Sequence, residues 1–198
     1  MTERSAQIIY FDQPGKQNTE RTLELARRRA SELNLGAVVV ATSSGATGAA
    51  AARVFAGFRL IVVTHVTGFR EPDTQELLPE HRAAIEAAGG KLLTSTHAFG
   101  GLGRAVRRKL NTYQVDEIVA YTLRTFGEGM KVAMEITAMA ADAGLVRCDE
   151  EVMAIGGTSG GADTAAVIKP AHVHNFFDMR VVEIVCKPRL GLARPAAP

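Results

Sequence analysis

Short apolar runs alternate with amphipathic stretches along most of the chain. Several runs are apolar throughout, which is typical of strands buried on both faces of a sheet. These runs predict strands at residues 8–11, 37–41, 59–65, 91–96, 151–157, 164–169 and 180–188. The stretches between them have apolar residues at helical spacing, and they predict helices at residues 19–33, 49–55, 79–88, 104–110 and 115–143.

Local signals set several of the predicted boundaries. Asn18 stands where a residue can cap the first helix, and Pro79 suits the first turn of a later one. Gly127 and Gly129 interrupt the long stretch 115–143. Since each glycine costs about 1 kcal/mol inside a helix, this stretch is predicted to form two helices or one kinked helix, with the break at Gly127.

The order of these elements predicts the fold class. Strands that alternate with helices are typical of a three-layer α/β/α sandwich with a mostly parallel sheet. The last three strands have no long helix between them, so we expect an antiparallel edge strand. One domain is predicted over residues 1–188, followed by a flexible tail at 189–198 that contains proline, glycine and alanine without periodicity.

The stretch Ala41–Gly48 (ATSSGATG) joins a predicted strand to a predicted helix. Small hydroxyls, backbone N–H groups and the positive end of a helix converge in such a turn, and this combination suits a phosphate or another anion. It lacks the Gly-Lys-Ser/Thr ending of a P-loop. The candidate phosphate-binding residues are Thr42, Ser43, Ser44, Gly45, Ala46 and Thr47.

Other polar segments follow neighbouring strands. Because ligands bind beyond the carboxyl ends of strands in such sheets, Thr64–Thr67, Ser95–His97 and Gly157–Ser159 are expected at the same rim as the turn. His65 and His97 suit hydrogen bonding to a ligand or proton transfer, although a lone histidine is more often structural. Gly157–Gly161 either approaches the ligand with its backbone or simply turns between strands.

Three further sequence patterns give no clear evidence of a binding site. His172, His174 and Asp178 lie beside apolar residues, which favours a packed bend over a metal site. Arg124, Glu128 and Lys131 either contact a ligand or form ion pairs along the helix. The glycines at 101 and 103 lack the third glycine and the following carboxylate of a dinucleotide-binding fingerprint.

Composition narrows the functional classes. The 198 residues carry a net charge of +2, and only 6% are aromatic with no Trp, which argues against nucleic-acid binding. No apolar stretch approaches the roughly 20 residues that span a bilayer, so a cytoplasmic protein without membrane contact is expected. Cys148 and Cys186 are too far apart in the sequence to suggest a zinc or redox pair.

Several separate blocks resemble a family of free-standing proteins with the fold of the pyruvate kinase C-terminal domain. They are YFDQPGKQNT at 10–19, TSSGATG at 42–48, VVTHVTGF at 62–69, STHAFGG at 95–101, LRTFGEGMKVAMEI at 123–136, GGTSGGADTAAVIKPAH at 156–172 and NFFD at 175–178. The resemblance implies the three-layer fold and an association with flavin mononucleotide (FMN). In the kinase domain the similar turn holds a phosphate of an allosteric sugar bisphosphate, but Ala46 stands where that pattern can have an arginine.

Two functional hypotheses follow. In the first, the protein binds FMN, with its phosphate on Ser43–Thr47 and its ring near His65, Thr67 and His97. Gly157 and Thr158 are further candidates for binding the cofactor. A flavin-dependent oxidoreductase is the catalytic form of this hypothesis. In the second, the chain is a non-enzymatic module that binds a sugar phosphate or nucleotide at the same turn. The sequence leaves the substrate and homo-oligomerisation open.

Overall fold

A computed structural model describes residue 3 and residues 5–191 of the chain. Its sheet has seven strands: β1 (Ile9–Phe11), β2 (Ala37–Ala41), β3 (Arg59–Thr64), β4 (Lys91–Thr94), β5 (Val152–Gly156), β6 (Thr164–Lys169) and β7 (Arg180–Pro188). The α-helices are α1 (Thr19–Glu32), α2 (Ala46–Val54), α3 (Pro79–Ala87), α4 (Leu102–Leu110), α5 (Val115–Arg124) and α6 (Glu128–Asp142). Short 3-10 helices lie at Lys16–Asn18 and Val173–Asp178.

The strand order is β1-β7-β6-β5-β2-β3-β4. Only β6 among these strands runs antiparallel to both of its neighbours. The predicted three-layer fold with a mostly parallel sheet is confirmed. The antiparallel strand, expected at the edge, lies third from it, because β7 and then the short β1 pair beyond β6.

Two helical layers cover the sheet. Val38 and Val40 of β2 face one layer, where they join a core with α1, α2 and α3. Val39 lies on the opposite face and packs in a second core with α6. α6 also packs with α5, which contacts α4. Because successive side chains of a strand alternate between faces, the continuous apolar run of β2 fills both cores.

The break between α5 and α6 is confirmed at Gly127. This residue has φ +117°, a conformation that glycine adopts without the cost of a side-chain clash. Beyond the break, α6 lies very close to the sheet: a Cβ built on Gly156 of β5 would be 2.2 Å from the carbonyl oxygen of Gly129. Small residues on both elements therefore bring the start of α6 against the end of β5.

Some local predictions differ from the structure. Asn18 occupies the N-cap position of α1, but its side chain donates to the carbonyl oxygen of Gln13 at 2.7 Å and does not cap the helix. α2 begins at Ala46, three residues before the predicted start, because the second half of the turn is already helical. Of the tail predicted to be flexible, residues 192–198 lie outside the described part of the chain. No helix in the described ranges combines the length and apolar character that crossing a bilayer needs.

Candidate functional site

A cavity of about 520 Å³ lies at the carboxyl ends of β2, β3 and β5, where α6 forms one wall. The predicted site residues that line it are Thr42, Ser43, Ser44, Ala46, Thr47, His65, His97 and Gly157. Gly45, Thr67 and Thr158 are not among its lining residues. The structure thus brings residues of all four predicted segments to one cavity, and a role in ligand binding stays a prediction for each of them.

The turn between β2 and α2 is held from within by Thr42. Its buried hydroxyl oxygen accepts from the N–H of Gly45 at 3.1 Å and from that of Gly48 at 3.5 Å. Gly45 has φ +97°, and a Cβ there would be 2.5 Å from the Cβ of His81. Thr42 and Gly45 therefore shape the turn, while the hydroxyls of Ser43 and Ser44 are left at the cavity.

The first turn of α2 offers backbone donors to the same cavity. Ala46 and Thr47 are its first two residues, and both line the cavity. Among the hydrogen bonds of the described residues, none is donated by their N–H groups. Since the N–H groups of a first helical turn lack partners within the helix and lie at its positive end, they suit an anion.

Three rings form an aromatic cluster on the cavity wall: His65, Phe69 and His97. The ring centroids are 4.2 Å apart for His65 and Phe69, 5.0 Å for Phe69 and His97, and 5.4 Å for the two histidines. The guanidinium of Arg104 lies 5.0 Å from the Phe69 centroid. Arg104 is in no ion pair among the described residues, so its charge is available to an anionic ligand.

His65 is held by a carboxylate. Its Nδ1 donates to Glu76 Oε2 at 2.6 Å, and the other oxygen of Glu76 lies 2.8 Å from Arg70 Nε in an ion pair. The opposite ring nitrogen, Nε2, lies 3.4 Å from Ser43 Oγ. An ionised carboxylate can only accept, so the contact with Glu76 assigns a proton to Nδ1, and in the neutral imidazole Nε2 is then an acceptor.

His97 lies in a different electrostatic environment. Burial lowers the pKa of its imidazole to about 4, although the nearby Glu135 carboxylate opposes the shift. The neutral ring is therefore the form present near pH 7. It can serve as a hydrogen-bond donor or acceptor for a ligand without bringing a charge.

Two ion pairs on or beside α6 contribute to the opposite wall. Lys131 donates to Glu135, and both side chains are only 6% exposed. Arg124 Nε donates to Glu128 Oε2 at 2.5 Å, and this hydrogen bond raises the pKa of the arginine. All four residues line the cavity, so the ion pairing that the sequence allowed occurs at the cavity wall, and contact with a ligand stays a prediction.

The histidines near the C-terminal end belong elsewhere. His172 and His174 stack with ring centroids 5.5 Å apart, and His172 Nδ1 lies 3.1 Å from Asp142 Oδ1. The segment forms the 3-10 helix Val173–Asp178, so the chain bends here as predicted, but none of the residues of this helix is buried. Within the described ranges, no group of histidine, cysteine and carboxylate side chains has the arrangement of a metal site.

Sequence reasoning missed several residues of the cavity or its support, among them Phe69, Glu76, Arg104 and Glu135. Phe69 and Glu76 lie in the irregular segment between β3 and α3, where no periodicity indicates a direction for a side chain. Glu135 offered a usable signal. It stands four residues after Lys131 in an otherwise apolar helical stretch, and charged residues are rarely buried without a partner.

A comparison with models of known families identifies the family of this domain. The family model described as the pyruvate kinase alpha/beta domain matches residues 20–168. Among solved structures, a pyruvate kinase from Cryptosporidium parvum is similar at 11% sequence identity and a TM-score of 0.41, with 77% of this chain and 23% of that chain covered. The chain thus spans less than a quarter of that pyruvate kinase. By the family match, the chain belongs to the pyruvate kinase alpha/beta domain family.

Proposed function

We propose that the cavity binds a small molecule with a phosphate group, and that FMN is the first candidate. The observation that supports this proposal is the composition of one cavity. Hydroxyls and unpartnered N–H groups stand at the start of α2, and the aromatic cluster lines the same space. A volume of about 520 Å³ is within the range of small-molecule sites.

The two parts of the cavity suit the two parts of such a ligand. Ser43 and Ser44 would donate hydroxyl hydrogen bonds to the phosphate, together with the N–H groups of Ala46 and Thr47. Phe69 and its neighbouring imidazoles offer ring faces to a flat heteroaromatic group. Arg104 supplies a positive charge beside these rings.

The catalytic form of the proposal is a flavin-dependent oxidoreductase. When bound, the flavin supplies the redox chemistry. The residues of this chain would position the ring and exclude water. His97, which is neutral near pH 7, would donate or accept a hydrogen bond at its edge.

A second candidate is a non-enzymatic module for a sugar phosphate or nucleotide. The specific observation in its favour is that the N–H donors proposed to bind a phosphate all lie at the start of α2, and none of them belongs to the aromatic cluster. Family membership is compatible with either candidate, since a shared fold does not fix a function. The two candidates differ in whether the rings contribute to binding.

Titration of the purified protein with FMN and riboflavin, followed by flavin fluorescence, tests the proposal. FMN should bind at least about tenfold more tightly, a difference of about 1.4 kcal/mol, because riboflavin lacks the phosphate. Ser44→Ala should reduce that preference, whereas Phe69→Leu should weaken both ligands. The matched controls are Ser31→Ala on α1 and Phe177→Leu, whose side chain is exposed outside the cavity.

The outcomes separate the candidates. Equal affinity for the two flavins would contradict phosphate binding at the turn. Binding of fructose 1,6-bisphosphate or AMP without binding of FMN would favour the second candidate. Reduction of bound FMN by NADPH, followed by absorbance at 450 nm, is the assay for the catalytic form.

A further inference from the structure

A serine, a histidine and a glutamate form a connected chain at the cavity. Ser43 Oγ is 3.4 Å from His65 Nε2, and His65 Nδ1 donates to Glu76 Oε2 at 2.6 Å. A hydroxyl, an imidazole and a carboxylate in this order are the parts of a Ser-His-acid nucleophile. The distance between Ser43 Oγ and His65 Nε2 is near the upper limit for a hydrogen bond. Such pairs are often this long before substrate binds.

We propose that Ser43 is a nucleophile activated by His65, and that the cavity hydrolyses small carboxylic esters. The proposal goes beyond phosphate binding and does not depend on which phosphorylated ligand the cavity takes. Ser43 and His65 would be the catalytic residues. Glu76 would be a positioning residue, because it acts on the substrate only through His65.

The contact between His65 and Glu76 determines which ring nitrogen of His65 can act as the base. Glu76 accepts the Nδ1 proton of His65, so in the neutral imidazole the lone pair is on Nε2, the ring nitrogen that faces Ser43. Arg70 Nε lies 2.8 Å from the second oxygen of Glu76 and forms an ion pair with it. The side chains of His65 and Glu76 are 27% and 19% exposed, so the pair is shielded from bulk water while His65 still lines the cavity.

The scaffold keeps the three segments together. The N–H of Leu78 donates to the carbonyl oxygen of Ser44 at 3.0 Å, which fastens the segment that carries Glu76 to the turn that carries Ser43. Gln75 Nε2 donates to the carbonyl oxygen of His65 at 3.0 Å. The segment that carries Glu76 is thus hydrogen-bonded both to the turn that carries Ser43 and to the backbone of His65.

The nucleophile stands beside donors that suit an oxyanion. Ser43 comes three residues before α2, and the unpartnered N–H groups of Ala46 and Thr47 open on the same cavity. Backbone N–H groups that are fixed before reaction stabilise negative charge on a carbonyl oxygen as it develops. The same donors that attract a phosphate therefore suit a tetrahedral acyl intermediate.

The reaction is balanced with water as the second substrate. Ser43 Oγ bonds to the ester carbonyl carbon while its proton passes to His65 Nε2, and the C=O electron pair moves to oxygen. Collapse of this intermediate breaks the bond to the alkoxy group, which takes the proton from His65 and leaves as the alcohol. Water then attacks the acyl-Ser43 with His65 as base, and the carboxylic acid leaves as Ser43 recovers its proton.

A second histidine–carboxylate pair in the protein differs from the His65–Glu76 pair in its surroundings. His172 Nδ1 also contacts a carboxylate, that of Asp142, at 3.1 Å. Among the described hydrogen bonds, however, no hydroxyl faces the other ring nitrogen of His172, and the residue does not line the cavity. A hydroxyl at the free nitrogen, within a cavity, is the combination that distinguishes His65.

The test uses a fluorophosphonate, which phosphonylates an activated serine, on the intact flavin-free protein. Mass spectrometry should locate the adduct on Ser43. Relative to wild type, His65→Gln should lower the labelling rate and the hydrolysis of p-nitrophenyl acetate at least about 100-fold, as loss of a catalytic base does. Glu76→Gln should lower both rates about 10-fold or more. His174→Gln, a histidine outside the cavity, is the matched control and should label at the wild-type rate.

A separate readout tests the positioning role of Glu76. Nitrogen-15 NMR of the imidazole should show the Nδ1–H tautomer of His65 in wild type and a mixture of tautomers in Glu76→Gln. Adducts elsewhere than Ser43, or an equal labelling rate in His65→Gln, would overturn the proposal. Neither result would affect FMN titrations of the same protein, so failure of the nucleophile and failure of phosphate binding are distinguishable.

Discussion

The carboxylate of Glu135 accepts a hydrogen bond from the backbone N–H of Phe99 at 2.9 Å. This bond joins the middle of α6 to the segment after β4 that carries His97. The second oxygen of Glu135 is paired with Lys131 one helical turn earlier. One buried carboxylate thus connects the helical wall of the cavity to the segment opposite it, and its charge is balanced by a single buried cation.

Replacing Lys131 by methionine should therefore destabilise the protein strongly. The substitution keeps the length of the side chain but leaves the Glu135 carboxylate buried without its cation. Removal of one partner of a buried ion pair costs about 3 to 5 kcal/mol. Urea denaturation followed by circular dichroism measures the change.

The matched control is Arg82→Met, which removes the cation of an exposed pair at the same helical spacing. Arg82 and Glu86 are 47% and 54% exposed, so the loss should be less than about 1 kcal/mol. Similar losses in the two variants would contradict the importance assigned to burial.

The stability of the protein should decrease between about pH 6.5 and pH 4 because of His97. Burial lowers the pKa of this histidine to about 4 in the folded protein, whereas an unfolded histidine has a pKa near 6.5. In this window the unfolded chain binds a proton that the folded protein does not, so acid favours unfolding. The contribution is complete above about pH 6.5, and about 3 kcal/mol is lost by pH 4.

Urea denaturation at several pH values tests this expectation. His97→Gln should show a shallower decrease of unfolding free energy over the window, while the control His174→Gln should retain the wild-type slope. If the unfolding free energy of His97→Gln changed with pH as steeply as that of wild type, other groups would be responsible for the acid sensitivity.

The fold could be predicted because its signals are local. The apolar run of β2 and the glycine at 127 each carry information within a few residues, and both appear as predicted. The position of β6 within the sheet depends on which distant strands pair. β1 joins β7 across almost the whole chain, and no local pattern specifies such a partner.

In the candidate site, too, the features set by local sequence could be predicted and those set by distant contacts could not. The turn at Ser43 and Ser44 was predictable because a strand, small polar residues and a helix follow one another directly. Glu76 was not, because it reaches His65 only after the irregular segment folds back and Leu78 bonds to Ser44. Hydrogen bonds across an irregular segment leave no periodic trace in the sequence.

The two cysteines should differ sharply in reactivity. Cys186 is fully buried in β7, and burial raises the pKa of its thiol to about 11, whereas Cys148 is partly exposed. At pH 8 only about one Cys186 thiol in a thousand is the reactive thiolate. Ellman's reagent should therefore modify one thiol of the native protein rapidly and the second only after denaturation.

The variant Cys148→Ala supplies the control for this assignment. It should lose the rapid reaction and retain one thiol that appears in denaturant. A rapid reaction in this variant would show that β7 opens to solvent in the native protein.

Gly156→Ala should destabilise the protein through a backbone clash between β5 and α6. The new Cβ would be 2.2 Å from the carbonyl oxygen of Gly129 and 3.0 Å from the backbone N of Ala133. Neither atom can rotate away as a side chain does, so α6 must shift from the sheet, at a cost of about 1 to 3 kcal/mol.

Gly36→Ala is the matched control, because the new Cβ has no atom within 4 Å and the residue does not have a positive φ. Its unfolding free energy should be unchanged or up to about 1 kcal/mol higher, since alanine restricts the unfolded chain. Because α6 carries Lys131 and Glu135, its displacement in Gly156→Ala should also weaken the proposed ligand binding in the cavity. A Gly156→Ala protein with wild-type stability would show that the close approach of α6 and β5 is not required.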